Sequence, residues 1–234
     1  MIFGRVRSLE RQRTAAADKT PPGPLRDYLL TPLPEPSTPV ESLPLLAIDI
    51  ETTGLDTSRD HVLAIGWIPV DGEVIDLAGA RRVVLRADAE VGQSATIHGL
   101  TDDDLAEGVP PVEALGEVLQ ALAGRVLLAH HASIETDFLA AACRRAFGVP
   151  LLTTSVDTLA LQHRLVTEGV GAVAEPRPGA LRLWAARERY GLPRYRAHEP
   201  LTDALACAEL YLAQTAELSL RSRKPLTLRA VRST

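Results

Sequence analysis

The run "LLAIDIETTGLD", Leu45 to Asp56, sets the strongest constraint on how this chain can fold. It is apolar enough for the inside of a sheet, yet it carries Asp49 and Glu51 one residue apart. In a β-strand, residues i and i+2 face the same way, roughly 7 Å apart. Both carboxylates therefore emerge on one face, while Ile48 and Ile50 point to the other. Two like charges on a half-buried face repel each other and resist desolvation. Something positive must meet them there, and a divalent cation is the obvious candidate.

The rest of the chain supplies a sheet for this strand to join. "HVLAIGWIPV" reads as a second strand, and Asp71-Gly72 as a tight turn into "EVIDLAGARRVVL", which makes an antiparallel three-strand start. Thr101 stands where it caps a helix whose first turn is acidic. "PVEALGEVLQALAG" has apolar residues at helical spacing, and "RVLLAHH" is apolar enough for a central, buried strand. Then come a helix ("IETDFLAAACRRAFG"), a short strand leading into a helix ("TTSVDTLALQHRLV"), a helix closed by Gly191 and Pro193, and a long helix in "TDALACAELYLAQTAEL". Strands first, then strands alternating with helices, predict an α/β domain with a mixed sheet. The Pro-rich stretch ahead of Leu43 sets off residues 1–42 as an extension and linker with one short helix near Leu25–Leu30. The folded domain is expected over 43–218 and a basic tail over 219–234. Trp67, Trp184 and Tyr211 fall on apolar faces and are expected in the core.

Charge is unevenly spread. The net charge is −5, but residues 1–40 carry +2 and residues 221–234 carry +5, which leaves −12 on the body between them. An acidic body with a basic tail fits a metal-loading protein whose tail reaches phosphates, and fits a solvated tail equally well. The first residues, "MIFGRVRSLERQR", have charge throughout and do not read as a secretory signal. No apolar run is long enough for a membrane span. Cys143 and Cys207 sit in helical segments and read as packed thiols in a reducing compartment, so the expected address is the cytoplasm.

Four carboxylates lie where such a fold can gather them. Asp49 and Glu51 are on the first strand, Glu135 opens the helix after "RVLLAHH", and Asp203 falls in the first turn of the last long helix, five residues after His198. Strand ends and helix starts on one side of an α/β sheet form the crevice where ligands sit.

"DIETTGL", "IHGLT", "AHHASIETDFL" and "HEPLTDA", in that order over about residues 45–212, resemble the DEDDh (DnaQ-like) 3′–5′ exonucleases, a group that includes the proofreading epsilon subunit of bacterial replicative polymerase. The resemblance implies a ribonuclease H-like fold, a mixed sheet flanked by helices, and hydrolysis of nucleotides from the 3′ end of DNA. It implies that Asp49 bridges two Mg²⁺ ions (Mn²⁺ substituting), that Glu51 and Asp203 hold one of them, and that Glu135 supports the other. His198 becomes the general base, and its ordinary pKa near 6.5 suits that task. Thr52, Thr53 and His98 would line the pocket of the terminal nucleotide, with Leu55 wedged against its base. The implied partners are a single-stranded DNA or RNA 3′ end and a polymerase or sliding clamp.

The third motif departs from the family pattern, with His131 for its Asn and Glu135 for its Asp. Asp137 and Asp157 are alternative acids; Asp137 lies about 200° round a helix from Glu135, so the two cannot both face the site. Glu135 keeps Phe138 and Leu139 in the family's apolar positions and is the favoured reading. His130 reads as a packed strand-end histidine and Asp157 as a turn-ordering acid. Alternative functions are the same chemistry on RNA or short oligonucleotides, and a catalytically weakened nucleic-acid-binding module.

Overall fold

The computed structural model describes residues 2–87, 100–168, 174–196 and 198–233. At its centre is β1 (Pro44–Thr52), which pairs antiparallel with β2 (Val62–Asp71), Asp49 opposite Gly66. On its other edge β1 runs parallel to β5 (Val126–Ala129), Leu46 opposite Leu127. The outer edge of β2 carries β3 (Val74–Ile75) and β4 (Arg81–Val84), and β6 (Ser155–Asp157) lies parallel beyond β5. Among the described residues this is a six-stranded mixed sheet. The β2–β3 turn is Gly72-Glu73, one residue later than expected, because Asp71 pairs with Val74. Gly72 has φ 62°, as the first central position of a two-residue hairpin turn allows. A Cβ there would meet the Glu41 carbonyl oxygen at 2.0 Å.

All four residues of β5 are buried, and a parallel strand of that kind needs cover on both faces. One face of the sheet presents Leu46, Ile48, Ile50 and Leu127 to α4 (Pro111–Leu122) and α5 (Ser133–Phe147), which contribute Leu115, Leu119 and Phe138. The other presents Leu45, Ala47, Val126 and Leu128 to α8 (Pro200–Arg221) through Ala204, Cys207, Ala208 and Tyr211. The strand's alternation puts Asp49 and Glu51 on this second face, beyond Leu45 and Ala47. Thr101 caps α3 (Asp102–Ala106) in a reciprocal box with Asp104, as its position in the sequence foretells. The remaining helices are α6 (Thr158–Thr167), α7 (Leu183–Arg189) and the short α9 (Leu228–Val231).

The flanking segments pack on this domain where they are described. Helix α2 (Pro24–Leu30) coincides with the expected short helix and buries Leu25, Tyr28 and Leu29 in the same core as α4. A further helix, α1 (Ile2–Ala17), precedes it. Buried Arg13 of α1 donates to the carbonyls of Tyr28 (2.6 Å) and Thr31 (2.9 Å) and stacks over the Tyr28 ring at 4.4 Å. The basic C-terminal stretch also returns to the domain, burying Leu226, Leu228 and Val231. Its Arg232 bridges to Val156 on β6, and Val40 N–H donates to the Leu226 carbonyl at 3.0 Å. No helix among the described residues is long and apolar enough to cross a membrane.

Candidate active site

Three carboxylates converge because a glycine lets a helix touch the sheet. Gly66 faces Asp49 across the β1–β2 ladder. A Cβ on it would lie 2.2 Å from both the Leu201 nitrogen and the Pro200 carbonyl carbon. The first turn of α8 thus rests directly on β2, and Asp203 in that turn comes down beside the end of β1. Carboxylate oxygens of Asp49, Glu51 and Asp203 all lie within 4.8 Å of one another. The start of α8 is fixed by its own sequence. Glu199 caps it, accepting from Thr202 N–H at 2.7 Å and from the Thr202 hydroxyl at 2.6 Å, and Pro200 fills the first turn.

Glu135 reaches the cluster from the opposite side, in the first turn of α5. It stands outside the 4.8 Å trio, yet among charged neighbours its effect on Asp49 is the largest. Its side chain is 4 % exposed, and its Oε2 is buried without a hydrogen-bond partner. A buried carboxylate oxygen left in that state costs on the order of 1–3 kcal/mol or more unless something binds it. Asp137 is exposed on the far side of the helix, so Glu135 is the acid that faces inward. Asp157 orders the approach to α5: its Oδ1 accepts from His131 N–H and from Leu159 N–H, both at 2.9 Å. His130 is a packed strand-end histidine, its Nδ1 2.8 Å from the Thr158 hydroxyl and its Nε2 2.9 Å from the Leu181 carbonyl; burial pushes its pKa down to about 4.

The electrostatics follow from gathering acids out of water. Burial and then Glu135, Asp203, Glu51 and Glu199 raise the Asp49 carboxyl well above the usual carboxylate range. Burial, with Asp203 and Glu199 nearby, pushes Glu51 up to about 7, opposed by Arg82. Burial pushes Glu135 up to about 8. Asp203 is raised by burial and held back by a hydrogen bond from His198 N–H at 2.8 Å. Arg82 on β4 pairs with Glu199 at 3.2 Å, so this cation is shared with a residue outside the trio. Four inward acids, one orphaned oxygen and oxygen-only donors suit a hard divalent cation.

The two non-glycine residues with positive φ among the described residues are His131 (75°) and His198 (67°), one on each side of the cluster. Asn, Asp and His are the residues enriched in that left-handed region, so a histidine at 131 meets the backbone demand there. Strained backbone at such positions concentrates at functional sites. His198 is exposed, on the loop that leads into α8.

The loop after β1 is tied to itself. The Thr52 hydroxyl donates to the Gly54 carbonyl (2.6 Å), and the Thr53 hydroxyl donates to Asp60 Oδ1 (2.9 Å) and accepts from His61 N–H. Asp60 Oδ2 also accepts from Asp56 N–H at 2.8 Å. The loop holds Leu55 out at 79 % exposure beside the acids. His98 lies outside the described residues. Trp67 and Tyr211 are in the core as expected, but Trp184 is 59 % exposed. Helix α7 is only seven residues long, and it turns Ala186 and Arg187 inward, leaving the indole on the surface. Sequence reasoning also missed Gly66, Asp60, Arg82 and Glu199; a glycine inside an apolar strand is the one local signal among them.

Residues 46–211 match the family model described as exonuclease. The chain is 29 % identical over 176 residues to the DNA polymerase III epsilon subunit of Treponema pallidum, covering 75 % of this chain and 78 % of that protein. It is 28 % identical over 174 residues to the PolC-type DNA polymerase III of Thermotoga petrophila; the match covers 74 % of this chain but only 12 % of the polymerase. Escherichia coli exonuclease I, solved in complex with a dT13 oligonucleotide, superposes with a TM-score of 0.64 at 15 % identity, over 76 % of this chain and 43 % of that one. The fold is the ribonuclease H-like one of DEDDh exonuclease domains.

Proposed function

The chain belongs to the exonuclease family whose model spans residues 46–211, and from that premise we propose that it removes nucleotides one at a time from the 3′ end of single-stranded DNA. The observation that carries the reading is the convergence of Asp49, Glu51 and Asp203 opposite buried, unpartnered Glu135. These four would hold two Mg²⁺ ions, with Mn²⁺ able to substitute. When bound, the ions supply Lewis-acid stabilisation of the attacking and leaving oxygens in an in-line displacement.

The chain's own residues do the rest. His198, on the exposed loop leading into α8, takes the proton of the attacking water. The hydrogen bond from its backbone to Asp203 fixes where the imidazole starts from. Thr52 and Thr53 shape the loop that receives the terminal nucleotide, and Leu55 presses on the base from its exposed perch. Glu199 and Arg82 hold the turn between His198 and Asp203 in place. Action on DNA is favoured by the polymerase III names of both relatives, and it makes a polymerase or sliding clamp a reasonable partner and the cytoplasm a reasonable address. A catalytic domain over 43–218 with accessory segments over 1–42 and 219–234 fits the same reading.

The test is direct. Incubation with 5′-labelled single-stranded DNA and RNA of equal sequence, in Mg²⁺, Mn²⁺ or EDTA, should give a ladder shortening from the 3′ end, strongest on DNA and absent in EDTA. A stronger ladder on RNA would reassign the substrate. No cleavage of either by folded protein in any metal would leave a nucleic-acid-binding module and make Glu135 the first suspect.

A further inference from the structure

Between α7 and the start of α8 a groove of about 710 Å³ opens, and His198 and Asp203 stand in its wall. The same groove is lined by Trp184, Tyr195, Arg182 and Arg194. Trp184 is mostly exposed on the first turn of α7, although an indole is among the costliest side chains to leave in water. Tyr195 is held in place: its hydroxyl donates to Glu209 at 2.9 Å, and its ring lies 4.8 Å from the Arg187 guanidinium. Arg187 is itself buried and anchored to Glu209 and the Ala206 carbonyl of α8, so the platform under Tyr195 is rigid. Arg182 is in no ion pair among the described residues, and Arg194 is paired only with exposed Glu188.

We propose that this groove binds the unpaired bases immediately preceding the 3′-terminal nucleotide, with Trp184 and Tyr195 as stacking platforms and Arg182 and Arg194 as phosphate contacts. The proposal rests on the exonuclease reading and extends it to a second stretch of substrate. Aromatic faces interleaved with cations are how proteins hold single strands without reading sequence. The body of the chain carries −12, so a polyanion needs local cations on its way to the acids, and in this groove Arg182, with Arg194 beside Glu188, supplies them on the way to Asp203.

The chain's two tryptophans make the test specific, since Trp67 is buried and Trp184 is not. The full-length protein is titrated with fluorescein-labelled dT8, and separately with dTMP, with Ca²⁺ replacing Mg²⁺ and a gel confirming that the strand stays intact. Anisotropy reports binding and tryptophan emission reports stacking. Saturation with dT8 should quench the emission, whereas dTMP, too short to leave the terminal pocket, should not. Trp184→Ala should weaken dT8 binding about tenfold, and Trp184→Phe should restore most of that loss while abolishing the quench. Binding of dT8 with unchanged emission, or equal affinity of Trp184→Ala and the parent, overturns the groove assignment. So does an absence of binding. Restoring Mg²⁺ to the same preparation separates the two failures: cleavage shows that the groove alone was misassigned, and no cleavage removes the exonuclease reading as well.

Discussion

Two helix starts bring acids to the end of β1, and they hold them in opposite ways. The start of α8 is fastened by hydrogen bonds: Glu199 caps it, His198 N–H donates to Asp203, and Gly66 lets it rest on the sheet. The start of α5 has no side-chain cap, and its acid, Glu135, is held by burial with one oxygen unpartnered. One acid is prepared by satisfied contacts and stays half in water. The other is prepared by an unsatisfied one, and its environment resists its charge until a cation arrives. If it holds the proposed cations, a site built this way has a permanent half and a half that waits.

The largest effects should come from the trio itself. Asp49→Ala and Asp203→Ala should each lower turnover by about 10³-fold or more, read as 3′ trimming in Mg²⁺. His198→Ala should cost about 10²–10⁴-fold in turnover while Mg²⁺ still raises the melting temperature; loss of that metal response would move His198 from proton transfer to metal binding. On the α5 side, Glu135→Ala should be severe and Asp137→Ala mild, and the reverse order would shift the fourth ligand by half a helix turn.

Gly66→Ala probes the permanent half. The added methyl meets backbone rather than a flexible side chain, so α8 must lift. Overpacking of this kind costs about 1–3 kcal/mol, and activity should fall further than stability because Asp203 moves with the helix. Unchanged thermal unfolding would show that the helix start yields easily.

The waiting half has a pH signature. Glu51 and Glu135, raised by burial to about 7 and about 8, keep protons in the folded protein that an unfolded glutamate releases near its ordinary 4.5. Their folded state binds more protons, so metal-free stability is fully present below about pH 4.5 and declines as pH rises through 7 and 8. Calorimetry without metal should show that fall, and Mg²⁺ should raise the melting temperature more at pH 8.5 than at pH 5.5. Glu135→Gln should flatten the curve; a curve as steep as the parent's would place the titration elsewhere. The smallest effect expected is from Asp157→Ala, about 1 kcal/mol for a lost cap, with a modest drop in activity through the His131 turn.

What was legible in the sequence was local. Alternation along "LLAIDIETT" puts Asp49 and Glu51 on one face, helical rotation separates Glu135 from Asp137, and Thr101 announces its own cap; the structure keeps all three. The mixed sheet was legible because strands that precede helices, and strands that alternate with them, leave few topologies; its strand order was not. What stayed hidden depends on partners far along the chain. Gly66 is informative only once Pro200 lies on it, Arg82 only once Glu199 caps α8, and α1 only once Arg13 finds the carbonyls of α2. Trp184 was misread as core because a seven-residue helix gives periodicity too little length to name its inner face.

The hydrogen bonds joining Val40 to Leu226 and Leu228 to Thr38 close a loop that contains nearly the whole domain. Closing so long a loop costs little more at equilibrium than closing a short one, since the entropy grows only as the logarithm of length. In time, however, the order is fixed. During synthesis Thr38 and Val40 emerge before Leu226 and Leu228, so this one pairing waits for the later residues. The strand that carries Asp49 and Glu51 and the helix that carries Asp203 lie between the two halves of the clasp, so both are synthesised before it can close.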